Sequence, residues 1–163
     1  MKIQPRALTD ILSKYPCVDT GSVDFPPYAN KILSHLIGVE LAIDFSVCDA
    51  EYLKKYNDFL YSECPAAKGV WMVFATSGQG DFWLLKCEEN TIGYYEHNDE
   101  DLQLSNIKSM SVGLEQWVVL ADIIAQLETK IESGLDSAAD RSDVETALGS
   151  LNLGLSSLPF EYF

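Results

Sequence analysis

Apolar and polar positions alternate most cleanly at 39–47. Val39, Leu41, Ile43, Phe45 and Val47 fall on one side, and Glu40, Ala42, Asp44, Ser46 and Cys48 on the other. A period of two over this length predicts one strand with a single face on a core, burying Ile43 with its neighbours. Val70–Ala75 is a continuous apolar run, the pattern of a strand covered on both faces. Next, 76–101 reads as a glycine-bracketed turn at Gly78 and Gly80, a strand over Asp81–Cys87, a four-residue loop at 88–91 and a strand over Ile92–His97. Along each strand Phe82 and Leu84 oppose Trp83 and Leu85, and Tyr94 opposes Tyr95, so both faces of this hairpin are apolar or aromatic. One face is expected on the core, the other under a helix or open to a partner. A further strand is expected over Asn106–Val112.

Helical spacing appears on either side of these strands. Leu8, Ile11, Leu12 and Tyr15 mark a short helix over 6–15, stopped by Pro16. Residues 17–27 read as a loop, and Pro27 suits the first turn of a helix over 28–36 that Gly38 ends. Asp49 can cap a helix over 50–62 with the stripe Leu53, Tyr56 and Leu60, closed by Pro65. Leu114, Trp117, Val118, Ala121, Ile124, Leu127 and Ile131 define the longest helix, about 114–132, before Gly134. The S-x-x-E pattern at Ser142–Glu145 predicts another helix start, running to about Leu151. The stretch GLSSLPFEYF at 154–163 is apolar enough to dock on the body or to reach a partner. Consecutive strands with short turns predict one α+β domain over 1–163, its sheet mostly antiparallel, with flanking helices on one side and at both ends.

Composition fits this picture. An apolar content of 47% and a mean hydropathy of zero suit a folded globular chain of 163 residues with one full core. No apolar run approaches the roughly 20 residues of a spanning helix, and Arg6, Asp10 and Pro5 break any signal-peptide core. The four cysteines, Cys17, Cys48, Cys64 and Cys87, show no C-x-x-C and no ligand spacing with histidine. They are expected as reduced thiols in a cytoplasmic protein. The net charge of −14 is uneven: residues 1–68 hold nine acids and seven bases, residues 69–163 sixteen acids and four bases. A basic face for phosphate is missing, which argues against direct nucleic-acid binding. On charge alone the acids are expected to keep the chain in solution; the alternative is a negative face that steers in a basic protein.

Few residues offer catalytic chemistry. The sequence contains neither a phosphate-binding glycine loop nor a G-x-S-x-G elbow, and its histidines are His35 and His97. No cofactor is expected. The segment His97-Asn98-Asp99-Glu100-Asp101, with Glu96, could hold a hard cation, but its spacing lacks the glycine of a calcium loop. A solvated loop or an interface is the better expectation. Glu88 to Asp101 holds six carboxylates and no Lys or Arg. Glu96, Asp99, Glu100 and Asp101, beside Trp83 and Tyr94 as exposed aromatic anchors, are the candidate partner-binding residues.

Four segments resemble the SUKH superfamily, the Smi/Knr-like family of cell-wall regulators and bacterial immunity proteins. FPPYANKILSHLIG at 25–38 is similar to its L-P-x-x-Y helix. VWMVFATSGQGDFWLL at 70–85 is similar to its strand, glycine turn and G-D core. TIGYYEHNDED at 91–101 is similar to the strand ending near a histidine and acids, and LEQWVVLADIIAQLE at 114–128 to its F-x-x-F-L helix. Phe25 stands where the family commonly has Leu, and the strand pattern at 39–47 falls in an early helical region of the family. The resemblance covers 25–128. It implies an α+β fold without shared catalytic residues, and a cytoplasmic immunity protein that neutralises a toxin, such as a nuclease, by binding it. A regulatory or scaffold domain that binds a cellular protein is the alternative, and a metal-dependent hydrolase built on 97–101 a weaker one.

Overall fold

In a computed structural model, which describes residues 1–98 and 101–163, six antiparallel strands run in sequence order across one sheet. They are β1 (Glu40–Ala42), β2 (Phe45–Val47), β3 (Trp71–Thr76), β4 (Phe82–Lys86), β5 (Ile92–Tyr95) and β6 (Lys108–Ser109). The helices are α1 (Leu8–Leu12), α2 (Pro27–Leu33), α3 (Ala50–Glu63), α4 (Leu114–Glu132) and α5 (Ala138–Gly149). No helix among the described residues is long and apolar enough to cross a membrane.

The α+β class and the antiparallel sheet are as expected, but helices cover both sheet faces rather than one. Phe74, Trp83, Leu85, Ile92 and Tyr94 join the core built with α1, α2, α4 and α5. Val73, Phe82, Leu84 and Tyr95 join a second core under Leu60 of α3 and the following Cys64 and Ala67. The alternation along β4 and β5 therefore divides as the sequence implies. The hairpin register, Phe82 opposite Tyr95 and Trp83 opposite Tyr94, puts like-facing aromatics in pairs. Gly93 is required by a close approach: a Cβ there would lie 2.7 Å from the Trp71 ring and 2.9 Å from Ile107.

Helix α3 is held by a polar contact that the apolar stripe did not show. Strand β2 stops at Val47, opposite Ala75. Farther along β3 the Val73 peptide takes Asn57 as its partner: Asn57 accepts from Val73 N at 2.8 Å and donates to Val73 O at 2.9 Å. A side-chain amide thus stands in for a missing strand, as buried peptide groups require. The expected Asp49 cap is present, its carboxylate accepting from Tyr52 N at 2.9 Å.

Four local expectations are corrected. The run at 39–47 is not one strand but a hairpin, turning at Ile43 and Asp44, with Ala42 opposite Phe45. Ile43 is 59% exposed, whereas Phe45 and Val47 are buried. The two-residue turn reverses the parity, setting Ala42 opposite Phe45, but an irregularity between Glu40 and Ala42 restores it, with Glu40 opposite Ser46, so period two could not reveal the turn. Helix α5 starts at Ala138 with Ser137 as its cap, not at Ser142. Asp140, three residues on, takes the Ser137 N–H at 2.7 Å and pairs with Lys130, fixing the earlier start. The strand expected at 106–112 shrinks to two residues, and α2 ends at Leu33 rather than 36, with turns continuing to Gly38.

Replacing Phe45 by Ala should cost about 3–5 kcal/mol in urea denaturation, because its ring is buried against Trp83 and Trp117. Ile43→Ala should change stability by less than about 0.5 kcal/mol. A large loss at Ile43 would restore the single-strand reading. All four cysteines are free thiols. Exposed Cys17 should react with a thiol reagent in the native protein well before buried Cys48, whose pKa burial and then Asp49 push up to about 12. Equal rates would show that the native fold leaves Cys48 accessible.

Candidate protein-binding surface

Sequential antiparallel strands bring alternate connections to the same end of a sheet. Here the β1–β2 turn, the β3–β4 turn and the exit of β5 share one end. The first two turns are tied together. Asp44 Oδ1 accepts from Gly78 N at 3.0 Å, and Asp44 O accepts from Trp83 Nε1 at 2.8 Å. Gly78 keeps this approach open, since a Cβ would sit 3.2 Å from Ile43 O.

Asp81 fixes the rest of this end. It is 4% exposed, and its carboxylate accepts from Tyr94 OH at 2.5 Å, His97 N at 3.0 Å and His97 Nδ1 at 2.6 Å. Burial pushes its pKa up, but the bonds from Tyr94 and His97 more than offset this and hold the carboxyl below its ordinary range. An ionised carboxylate only accepts, so Nδ1 of His97 is the donor. Through these bonds Asp81 acts structurally, locking the β3–β4 turn to the exit of β5.

The sequence-predicted site is redistributed. Trp83 is fully buried and Tyr94 is 4% exposed, so neither is a surface anchor. Each has its polar tip bonded within the fold, Trp83 to Asp44 and Tyr94 to Asp81, and this allows them into the core. Glu96 is half-buried, and Asp101 is exposed. Asp99 and Glu100 lie outside the described residues. Among the described residues no group of three His, Cys, Asp or Glu side chains is placed to hold a metal ion.

A different set of carboxylates gathers around the β1–β2 turn. Glu128 of α4 accepts from the exposed Ile43 N–H through both oxygens, at 3.2 and 3.3 Å. Burial, followed by the charges of Asp44, Glu132 and Glu40, pushes the Glu128 pKa up, and the Ile43 N–H only partly opposes this. Tyr162 donates to Asp44 Oδ2 at 3.2 Å. Among the described residues none of Glu40, Asp44, Glu128 and Glu132 is ion-paired; Lys130, between the two α4 acids in sequence, is committed to Asp140. Ile131, one turn beyond Glu128, is 49% exposed. Exposed Ile43 thus lies among carboxylates that have no ion pair among the described residues, with exposed Ile131 one turn along α4 from Glu128. The readable signal was the like-charged pair Glu128 and Glu132 at i,i+4, which an isolated helix disfavours. Its meeting with Glu40 and Asp44 depends on the tertiary fold.

A cavity of about 730 Å³ lies between the 22–27 loop, α3 and the start of β3. It shares no lining residue with the carboxylate group. Asn57 and Tyr61 line it, but both have polar tips bonded to β3 backbone, Tyr61 donating to Trp71 O at 2.9 Å. Comparison with family models, curated proteins and solved structures finds no match for this chain.

The crowding at Glu128 has a measurable consequence. A carboxyl whose folded pKa is raised above its unfolded value destabilises the fold as pH rises through that interval. Glu128→Gln keeps an acceptor for Ile43 and removes the repulsion. It should raise stability at pH 7 by up to about 1 kcal/mol after solvent screening. The gain should vanish once the pH falls below the ordinary glutamate value of 4.5. Thermal unfolding across pH checks this, and a variant less stable at pH 7 would show that the charge itself is needed for folding.

Proposed function

We propose that this protein is a non-catalytic binding protein that holds a basic protein partner against the turn end of its sheet. The observation that carries the reading is the group of four unpaired carboxylates, Glu40, Asp44, Glu128 and Glu132, around exposed Ile43. Carboxylates that repel one another in the free protein gain when lysine or arginine comes among them. Ile43 and Ile131 would supply apolar contact at the centre, and the acids would set the association rate. The excess of acids in residues 69–163 extends the field that draws such a partner in. The resemblance to SUKH proteins supports a specific form, a cytoplasmic immunity protein that occludes a toxin, with a basic nuclease as the matching class. The carboxylates would then occupy the place of the nuclease's phosphate substrate.

The test is capture from the source cell with wild-type protein and with the double variant Glu40→Lys, Glu132→Lys. The wild type should retain one basic protein at low salt and release much of it at high salt. The double variant should capture at least about tenfold less of it, while Glu63→Lys on α3 captures as well as wild type. An acidic partner, or equal capture by the double variant, would refute the reading.

A further inference from the structure

The segment 155–163 lies on the body at this same end, and the manner of its attachment is informative. Phe160 sets its ring 5.9 Å from Trp83, 5.6 Å from Tyr94 and 6.0 Å from Phe45, each contact close to edge-on. Trp83 and Phe45 stack beneath it at 5.2 Å. Two residues later, the Tyr162 hydroxyl reaches Asp44. The segment's backbone hydrogen bonds are local, the last from Leu158 N to Leu155 O. Among the described residues, no backbone N–H or C=O of residues 159–163 is hydrogen-bonded. Phe160 is half-buried, with Glu161 and Phe163 exposed on either side of Tyr162. These five residues are therefore held by side chains alone, as a bound peptide can be. A segment so held lacks the ladder of backbone bonds that makes a strand costly to detach.

We propose that the aromatic cradle of Phe45, Trp83 and Tyr94 is a binding site for a partner segment bearing an aromatic ring followed two residues later by a basic side chain, and that residues 159–163 occupy it in cis. The segment now present defines the chemistry of its competitor. An aromatic ring replaces Phe160 edge-on over Trp83 and Tyr94. At the Tyr162 position, lysine or arginine meets Asp44 with a full charge where the tyrosine offers only a neutral hydroxyl. Neighbouring carboxylates strengthen that preference. Burial and the charge of Asp44, with a contribution from Glu128, push the Tyr162 phenol far above its ordinary pKa, so it stays a neutral donor. Displacing it by a cation neutralises charge that the hydroxyl leaves in place. The inference rests on the proposed function, because it supplies an anchor pocket beside the carboxylates that attract the partner. It also makes residues 159–163 an intrachain competitor that weakens capture of anything lacking the aromatic ring.

A synthetic peptide of residues 154–163, fluorescently labelled, tests this without the natural partner. Fluorescence anisotropy compares its binding to the wild-type chain and to the full chain carrying Phe160→Ala and Tyr162→Ala. A tethered competitor acts at an effective concentration on the order of millimolar, so the variant should bind the peptide at least about tenfold more tightly than wild type. A peptide with Phe160→Ala should not bind. A peptide with Tyr162→Lys should bind more tightly than the unmodified one at low salt, and lose that advantage by about 0.5 M salt. Equal binding by wild type and a folded variant, or none by either, overturns the proposal. So does loss of cooperative unfolding in the variant, since the ring would then be part of the core and not a displaceable occupant. A lysine peptide that binds no better overturns the basic-partner assignment of the cradle. Failure here with success of the Glu40, Glu132 reversal would leave the charged surface standing without its anchor pocket.

Discussion

The 2.8 Å bond from the Trp83 indole N–H to the Asp44 carbonyl organises this end of the molecule. A fully buried indole is stabilised by an acceptor, because an N–H left without one costs about 1–3 kcal/mol. The Asp44 carbonyl can serve because the chain turns at Ile43 and Asp44. That turn places the Asp44 carboxylate on Gly78 and Tyr162, and its Ile43 N–H on Glu128. The turn that this bond fixes thus links the core ring, two connections of the sheet, α4 and the segment 155–163. Trp117 makes the contrast clear. Its indole N–H is buried with no acceptor among the described residues, and the ring is held by packing on Phe45, Phe74 and Trp83.

Two carboxylates show how environment sets the cost of a charge. Asp81 is the more buried, yet Tyr94 and His97 surround it with donors, and its pKa is held down. Its charge is spent inside the fold. Glu128 has one N–H donor against three neighbouring acids, and its pKa is raised. An acid that keeps its charge under those conditions reduces stability, and an incoming cation would relieve the cost. Stability alone would favour a neutral residue at Glu128, and the proposed binding would give a physical reason for the charge there.

Several elements were legible because their signals are local. Helix α4 occupies Leu114–Glu132, the span its apolar spacing marks, and α3 begins after its Asp49 cap. The hairpin β4–β5 follows from two alternating runs and a four-residue loop. The run at 39–47 is misleading because a register irregularity between Glu40 and Ala42 restores the parity that the two-residue turn reverses, and Asp44 is a single turn-forming residue at that point. Trp83 and Tyr94 are ambiguous in sequence because aromatic residues suit both cores and interfaces. Which they join depends on α3, α4 and Phe160, all distant along the chain.

The α+β class, the strand-rich middle, the long apolar helix and the acidic bias could all be read from the chain, since each depends on spacing or composition within a short window. Which acids meet could not. Glu40 and Asp44 are separated from Glu128 and Glu132 by more than eighty residues, and they come together because the β1–β2 turn packs against α4. Nor could the filling of the aromatic cradle from within, by Phe160. A contact between remote residues depends on the whole packing of the chain, and no local pattern of apolar and polar positions encodes it.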